Sequence, residues 1–436
     1  MIRRQGKVYR VVQPGYASAY DQLMQSGLYS QLTTAGQLLP HAELPVPETY
    51  AGAYRFLEPE QLTAISYPYE WCFSQLKDAA LLTLDIAVQS LASGLTLKDA
   101  TPFNIQFRNG QPVFIDTLSF DHYHPEAPWV AYHQFCQTFL APLLLCCYSD
   151  ADSARLLTVH TEGIPLQMAA RVIPFRKRFN VHMMMHVIVP SKVKGGGKSN
   201  SQYQAAFSET KFRQLLESLR TLVKGLELPV HKSTWNHYYE EDTTSAYLQH
   251  KAAIIAGWLQ QLKPAVVADW GCNTGHFSRL AAQQGAMVWA IDSDTYCIDK
   301  LYRELKPAQL PISVVSASIT TPSPAIGWEN AEREPLLERT PSNVAMALAL
   351  VHHLAISNNL PFDFIARMFA AQAPQLIIEF VPDTDEKCVQ LLQQRTRSYP
   401  EYTQEQFEAA FARYFDLTDR QPIQGSGRIL YLMKKK

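Results

Sequence analysis

The amino-acid sequence predicts an α/β, doubly wound back half preceded by an α+β front half. Three observations predict this. Residues 265–292 read AVVADWGCNTGHFSRLAAQQGAMVWAID: an apolar run ending in Asp269, a tight Gly271-x-x-x-Gly275 turn, an amphipathic stretch, and a second apolar run ending in Asp292. Apolar runs then alternate with helical patterns to the end of the chain, as in a sheet covered on both faces. Between the halves lies PSKVKGGGKSNSQ (residues 190–202), basic, Gly/Ser-rich and without periodicity, which reads as a linker. A chain of 436 residues is also too long for one ordinary core.

In the back half, a helix is expected over 244–262, leading into strands at 265–269, 286–291, 312–316, 343–349 and 375–381. The helices lie between them, that at 361–372 being the most distinct. A last helix (403–413) is followed by apolar stretches at 417–423 and 428–433, patterned as a hairpin. Small residues at Gly271 and Gly275 let a ligand approach the backbone where a helix N-terminus presents unpaired N–H groups. Asp292, some twenty residues on, suits a ribose diol, because one carboxylate can accept from both hydroxyls. The turn is not the G-x-G-x-x-G of dinucleotide-binding proteins.

The order Asp269-x-Gly271-x-Asn273-x-Gly275 resembles motif I (D/E-x-G-x-G-x-G) of class I S-adenosyl-L-methionine (SAM)-dependent methyltransferases, with Asn273 at the middle glycine. Asn tolerates unusual backbone angles better than other non-glycine residues, so the departure is mild. The resemblance covers residues 235–436. It implies a Rossmann-like seven-stranded class I methyltransferase domain, with SAM as cofactor. Asp269, Gly271, Cys272, Asn273, Gly275 and Leu350 would lie about the cofactor, and Asp292 with Ser293 would meet the ribose. Ser318 would stand where an Asp commonly meets the adenine amine. The aromatic and polar run from Trp235 to Lys251 would cover the cofactor, with Tyr239, Tyr247 and Lys251 reaching its carboxylate or lining the acceptor pocket. Tyr247 and Lys251, four apart on one helix face, could equally just pack.

SAM is already activated and needs a nucleophile in line, about 3 Å away, in a dry pocket. The substrate side of this family lies beyond strands four and five, here Leu350-Val-His-His-Leu354 and Glu379-Phe-Val-Pro-Asp383. His352 and His353 are the candidate bases, or they shape the cofactor pocket; Glu379 orients a histidine or substrate, or caps a turn. No metal is expected at these three, because neighbours on one loop ligate an ion with awkward geometry. The sequence is also similar to bacterial nodulation-type methyltransferases of NoeA kind, which implies a small-molecule or glycan acceptor methylated on oxygen or nitrogen.

The front half, residues 1–189, carries a second resemblance. A helix over 74–93 precedes Asp99, Asn104 and, after a hairpin-like Asn109-Gly110, Asp116. This is similar to the catalytic segment of protein-kinase-like folds and implies Asp99 as base with Asn104 and Asp116 as metal ligands. Departures are many: Leu97-Lys98 precedes the first Asp, Thr117-Leu118 follows the last, and no Gly-rich loop lies upstream. A degenerate kinase-like scaffold and an unrelated α+β domain both remain open, as does a bifunctional kinase–methyltransferase. Residues 190–234 are expected to form linker and helix, with the helix over 207–224. Gly197-Lys198-Ser199 imitates the end of a P-loop, but Lys192 stands where its first glycine belongs.

Composition narrows the functional classes. A net charge of −1 supplies no global field toward nucleic acid, although Arg171, Arg176, Lys177 and Arg178 form a local patch. The apolar run 139–147 is too short to span a bilayer, and the basic N-terminus lacks the apolar core of a signal peptide. Seven cysteines without C-x-x-C spacing point to reduced, cytoplasmic usage.

Overall fold

The computed structural model describes residues 2–4, 6–125, 127–192, 208–229, 246–393 and 399–436. Two compact units divide the chain, Met1–Val230 and His231–Lys436.

In the second unit an apolar run over Val266–Trp270 forms β9, an interior strand of a seven-stranded sheet; the eight strands of the first unit precede it in the chain. The others are β10 (Met287–Asp292), β11 (Ile312–Ser316), β12 (Val344–Ala347), β13 (Gln375–Phe380), β14 (Phe415–Pro422) and β15 (Ile429–Lys435). Their spatial order is β11-β10-β9-β12-β13-β15-β14. The first five run parallel, and β15 is inserted antiparallel between β13 and β14. This is the Rossmann-like, seven-stranded arrangement that the sequence predicts. Strands 9, 10, 12 and 13 are buried along nearly their whole length, as expected of a parallel sheet covered by helices on both faces. A cluster of Phe362, Phe380, Tyr402, Phe407, Phe411 and Tyr431 packs the terminal hairpin against its covering helices.

The chain leaves β9 in one direction to reach β10 and in the other to reach β12, so a crevice opens at the carboxyl ends of β9 and β12. Residues 271–275 turn there. Asn273 (φ 52°) and Gly275 (φ 76°) both hold left-handed backbone. Gly275 sits at the N-cap of the helix His276–Gln283. A Cβ on it would lie 2.6 Å from Leu301 Cδ1 and 2.7 Å from Cδ2, inside the helix Thr295–Ala308. Gly275 is therefore a helix-packing glycine, and it stands outside the lining of the cavity described below. Asp294 caps that second helix by accepting from Tyr296 N and Cys297 N.

The first unit is α+β. Its eight strands are β1 (Ile2–Arg4), β2 (Lys7–Val12), β3 (His41–Leu44), β4 (Arg55–Pro59), β5 (Leu95–Leu97), β6 (Ile105–Arg108), β7 (Gln111–Phe114) and β8 (Phe120–His122). The first four form an antiparallel sheet in the order β1-β2-β4-β3, which sequence periodicity did not bring out. The long helix Phe73–Leu91 follows, then the pairs β5–β8 and β6–β7. Asn109 (φ 50°) and Gly110 (φ 73°) close the β6–β7 hairpin, both left-handed as a two-residue turn of this type requires. The helix Glu209–Lys224, expected between the two domains, packs on Phe73–Leu91. Arg220 pairs with Asp85 at 2.7 Å, and Lys77 Nζ donates to the carbonyls of Lys224 and Leu226. The expected boundary at 234/235, Tyr239 and the Gly197-Lys198-Ser199 run lie outside the described residues.

Gly275→Ala is expected to lower stability by about 1–3 kcal/mol, from overpacking against Leu301 and left-handed strain. Urea unfolding followed by tryptophan fluorescence measures the shift; an unchanged midpoint would contradict the packing role.

Candidate active site

Residues at the ends of β9, β10, β11 and β12 enclose a cavity of about 340 Å³ at the crevice. Of the residues singled out in the sequence, Gly271, Asn273, Asp292 and Ser293 line one side, and Ser318, Leu350, His352 and His353 line the rest. Cys272, Asp269, Gly275, Tyr247, Lys251 and Glu379 stand outside that lining. Trp270, Ala317, Asn358 and Lys387 line the cavity without having been singled out. Single residues at the ends of apolar runs carry no motif, so no sequence signal marks them.

The turn is strapped to the next strand. Gly271 N and Cys272 N both donate to Ile291 O, at 2.8 and 3.2 Å. Asn273 N donates to Asp292 Oδ2 at 2.7 Å, and Asp294 N donates to Asp292 Oδ1 at 2.8 Å. Burial pushes the Asp292 carboxyl above its ordinary range, against these backbone donors. A carboxylate offers about four acceptor sites, so capacity remains for a diol. Gly271 (φ 77°) has two reasons to be glycine: its left-handed backbone, and Leu350 Cδ1, which a Cβ would meet at 3.2 Å. The loop after β12 thus seats against the turn after β9.

Asp269 is buried and accepts from Ser278 Oγ at 2.6 Å, tying β9 to the helix His276–Gln283. It was expected beside the cofactor; instead it fastens strand to helix. Burial pushes its carboxyl up to about 7, with the Ser278 hydrogen bond opposing. Cys272 is buried too, and burial holds its thiol well above the ordinary range, so it stays protonated.

Glu379, suggested to orient a histidine or substrate or to cap a turn, is fully buried and bound within the protein. Its Oε2 accepts from Lys251 Nζ at 2.5 Å and from Ala349 N at 2.8 Å; Oε1 accepts from Tyr247 OH at 2.8 Å and from Arg428 Nη1 at 3.5 Å. Burial pushes this carboxyl up, but Lys251 and Arg428 outweigh it and hold it below its ordinary value. Arg428 also grips Asp385 through Nε and Nη2, at 2.8 and 3.1 Å. Lys251 and Tyr247, expected to reach the cofactor, are committed to Glu379. Ala349 holds left-handed backbone (φ 50°), unusual for a residue with a Cβ, and its N–H is the one bound to Glu379. The network therefore shapes the wall of the cavity from behind.

The two histidine rings lie tilted at 41° with centroids 4.1 Å apart. Burial lowers His352 well below its ordinary value and brings His353 down to about 4, so both are neutral near neutral pH. Among the described residues no group of three His, Cys, Asp or Glu side chains is placed to hold a metal ion.

Two buried polar atoms of the cavity wall have no hydrogen-bond partner, Trp270 Nε1 and His352 Nδ1. A glycine turn under a helix start and an acid held at the end of the next strand, with acceptor capacity left for a diol, together fit SAM. Strand order and site define a class I SAM-dependent methyltransferase. Over 431 residues the chain is 32% identical to the nodulation protein NoeA of Rhizobium meliloti (strain 1021), spanning 96% of this chain and 90% of that protein. The chain belongs to the NoeA family.

No protein-family model matches the chain. Among solved structures, the N-methyltransferase NodS from Bradyrhizobium japonicum WM9 is 11% identical with a TM-score of 0.33, over 44% of this chain and 99% of its own. Magnesium protoporphyrin IX methyltransferase from Synechocystis PCC 6803 is 13% identical with a TM-score of 0.34, over 48% and 90%. WbdD, crystallised with a kinase inhibitor, is 18% identical with a TM-score of 0.32, over 50% and 47%. Likeness at this level carries no functional weight.

In the first unit, Asn104 Nδ2 donates to Ser119 Oγ, which donates to Asp116 Oδ2. Asp99 is raised by burial and then by the charge of Asp116. The three residues of the kinase-like pattern thus gather. Arg10 of β2, however, meets Asp116 Oδ1 at 2.5 Å, so a guanidinium stands at the carboxylate proposed to hold metal.

Asp269 binds its proton more tightly folded than unfolded. Its contribution to stability is fully present below its ordinary value of 3.8 and lost as pH rises through about 7. Asp269→Asn keeps an acceptor for Ser278 and removes the titration. Urea midpoints at about pH 5 and about pH 8 are expected to fall further apart in the wild type than in the variant; equal spacing would contradict the assignment.

Proposed function

We propose that this protein transfers the methyl group of SAM to an oxygen or nitrogen atom of a small-molecule or glycan acceptor, in the cytoplasm. The observation that carries the reading is Asp292, fixed at the end of β10 by Asn273 N and Asp294 N. SAM supplies an electrophilic methyl carbon that needs only an aligned nucleophile. Asp292 would accept from the ribose hydroxyls, and Gly271 with Leu350 would bound the methionine portion. Ser318, whose hydroxyl pairs with Thr320 Oγ1 at 2.8 Å, borders the place for the adenine. His352 and His353, neutral and on the wall, would accept a hydrogen bond from the nucleophile and orient its lone pair. A conjugate acid as strong as that of His353 makes a weak base, so orientation outweighs proton removal in its role.

The charge of the lining supports this acceptor class. Asp292 and Asp294 are set against one cation, Lys387, which is no cradle for a phosphate backbone. Asn358 and Lys387 offer hydrogen bonds suited to a hydroxylated acceptor. All seven cysteines are unpaired, in keeping with a reducing compartment.

Calorimetric titration with SAM is expected to show binding that Asp292→Ala weakens by about ten- to a hundredfold, through loss of charge-assisted hydrogen bonds. Unaltered affinity in a folded variant would remove the reading. Incubating the enzyme with methyl-labelled SAM and fractionated cell extract is expected to label a small-molecule or glycan fraction. Label confined to RNA or protein would overturn the acceptor class and leave the cofactor assignment standing.

A further inference from the structure

The first unit carries a surface that the methyl-transfer reading does not use. Between Glu162 and Lys192 the chain has five cations, Arg171, Arg176, Lys177, Arg178 and Lys192, and no acid, although the whole protein carries a net charge of −1. Arg178 turns inward, donating from Nε to Ile173 O and from Nη2 to Arg171 O. The other four are exposed, and among the described residues no acid pairs with them.

Apolar side chains face outward in the same segment. Phe175, Phe179, Val181, Met185 and Val189 are between 49% and 72% exposed, half of the large exposed hydrophobics of the described residues. Phe175 and Phe179 pack edge to face with centroids 5.0 Å apart. Val181, Met185 and Val189 follow at four-residue steps, which puts them on one side of the helical stretch Val181–Ile188 and its continuation. Its other side is anchored: Met183, His186, Val187 and Ile188 are buried. Ser218 Oγ meets His182 Nδ1 at 2.7 Å and His186 Nε2 at 2.8 Å, and Tyr132 OH meets His186 Nδ1 at 3.0 Å. The outward stripe is thus held rigidly by the body of the unit. An apolar stripe rimmed by unpaired cations is the composition of a face that rests on an anionic lipid surface, with rings and aliphatic side chains entering the headgroup boundary and the cations meeting phosphates. Nucleic acid would use the cations and leave five exposed apolar side chains without a partner; the charge and the stripe together favour lipid.

We propose that Phe175, Phe179, Val181, Met185 and Val189, rimmed by Arg171, Arg176, Lys177 and Lys192, form a docking face by which this protein binds peripherally to a membrane rich in anionic phospholipid. The test is co-sedimentation of the full chain with unilamellar vesicles of phosphatidylglycerol and phosphatidylcholine in equal parts, against phosphatidylcholine alone. Binding to the mixed vesicles is expected, at least about tenfold tighter than to the neutral ones, and weakened by salt. F175S/F179S and R176E/K177E are each expected to weaken it at least about tenfold while SAM affinity and melting temperature stay unchanged. Protein left in the supernatant overturns the proposal, as does equal binding by the Phe variant. A wild-type dimer that F175S/F179S splits, without vesicle binding, reassigns the face to self-association. Tight binding of a mixed-sequence RNA oligonucleotide, lost in R176E/K177E and retained in F175S/F179S, reassigns it to nucleic acid.

Discussion

A carboxylate sealed from solvent stays ionised only if its charge is answered on every side, and Glu379 is answered from four. Lys251 and Tyr247 come from the helix before β9, Arg428 from the start of β15, and the N–H of Ala349 from the loop after β12. One side chain at the end of β13 therefore joins the covering helix, the antiparallel insertion and the cavity wall. The N–H bound to Glu379 belongs to a residue with left-handed backbone, Ala349, and the next residue, Leu350, packs beside Gly271. Removing Glu379 would leave the buried Lys251 without its carboxylate, which is why this group of residues acts as a unit.

The opposite wall is organised by backbone rather than by charge. Asn273 and Asp294 each give an N–H to Asp292, while Gly271 and Cys272 hold to Ile291. The acid is fixed before any ligand arrives, which spares the ordering cost of binding. Acidic residues predominate over cations in the cavity lining, while residues 171–192 carry cations and no acid.

The parallel strands were legible because each is a short apolar run between turn residues. Their expected positions fall within a few residues of Val266–Trp270, Met287–Asp292, Ile312–Ser316, Val344–Ala347 and Gln375–Phe380. Asp292 and Gly271 were legible because motif spacing on one β-α-β unit is local. Asp269 and Gly275 were assigned to the cofactor on the same spacing, Lys251 on its place before the first strand of the unit and Glu379 on its place at the end of the fifth, and none of the four lines the cavity. A motif marks proximity to the crevice but not the direction in which each side chain points. The front sheet, β1-β2-β4-β3, stayed hidden because its burial patterns are mixed and β1 spans three residues.

By itself the sequence determined the order of elements, the turn after β9, the acid after β10 and the single-signed charge of residues 163–192. These properties reside in neighbouring residues, so chain order suffices to state them. Only the tertiary structure decided that Glu379, Lys251, Tyr247, Arg428 and Asp385 form one network, that Leu301 claims the space beside Gly275, and that Arg10 meets Asp116. Those contacts join residues far apart in the chain, and burial, hydrogen bonding and charge pairing select them only once the sheet has brought the elements together.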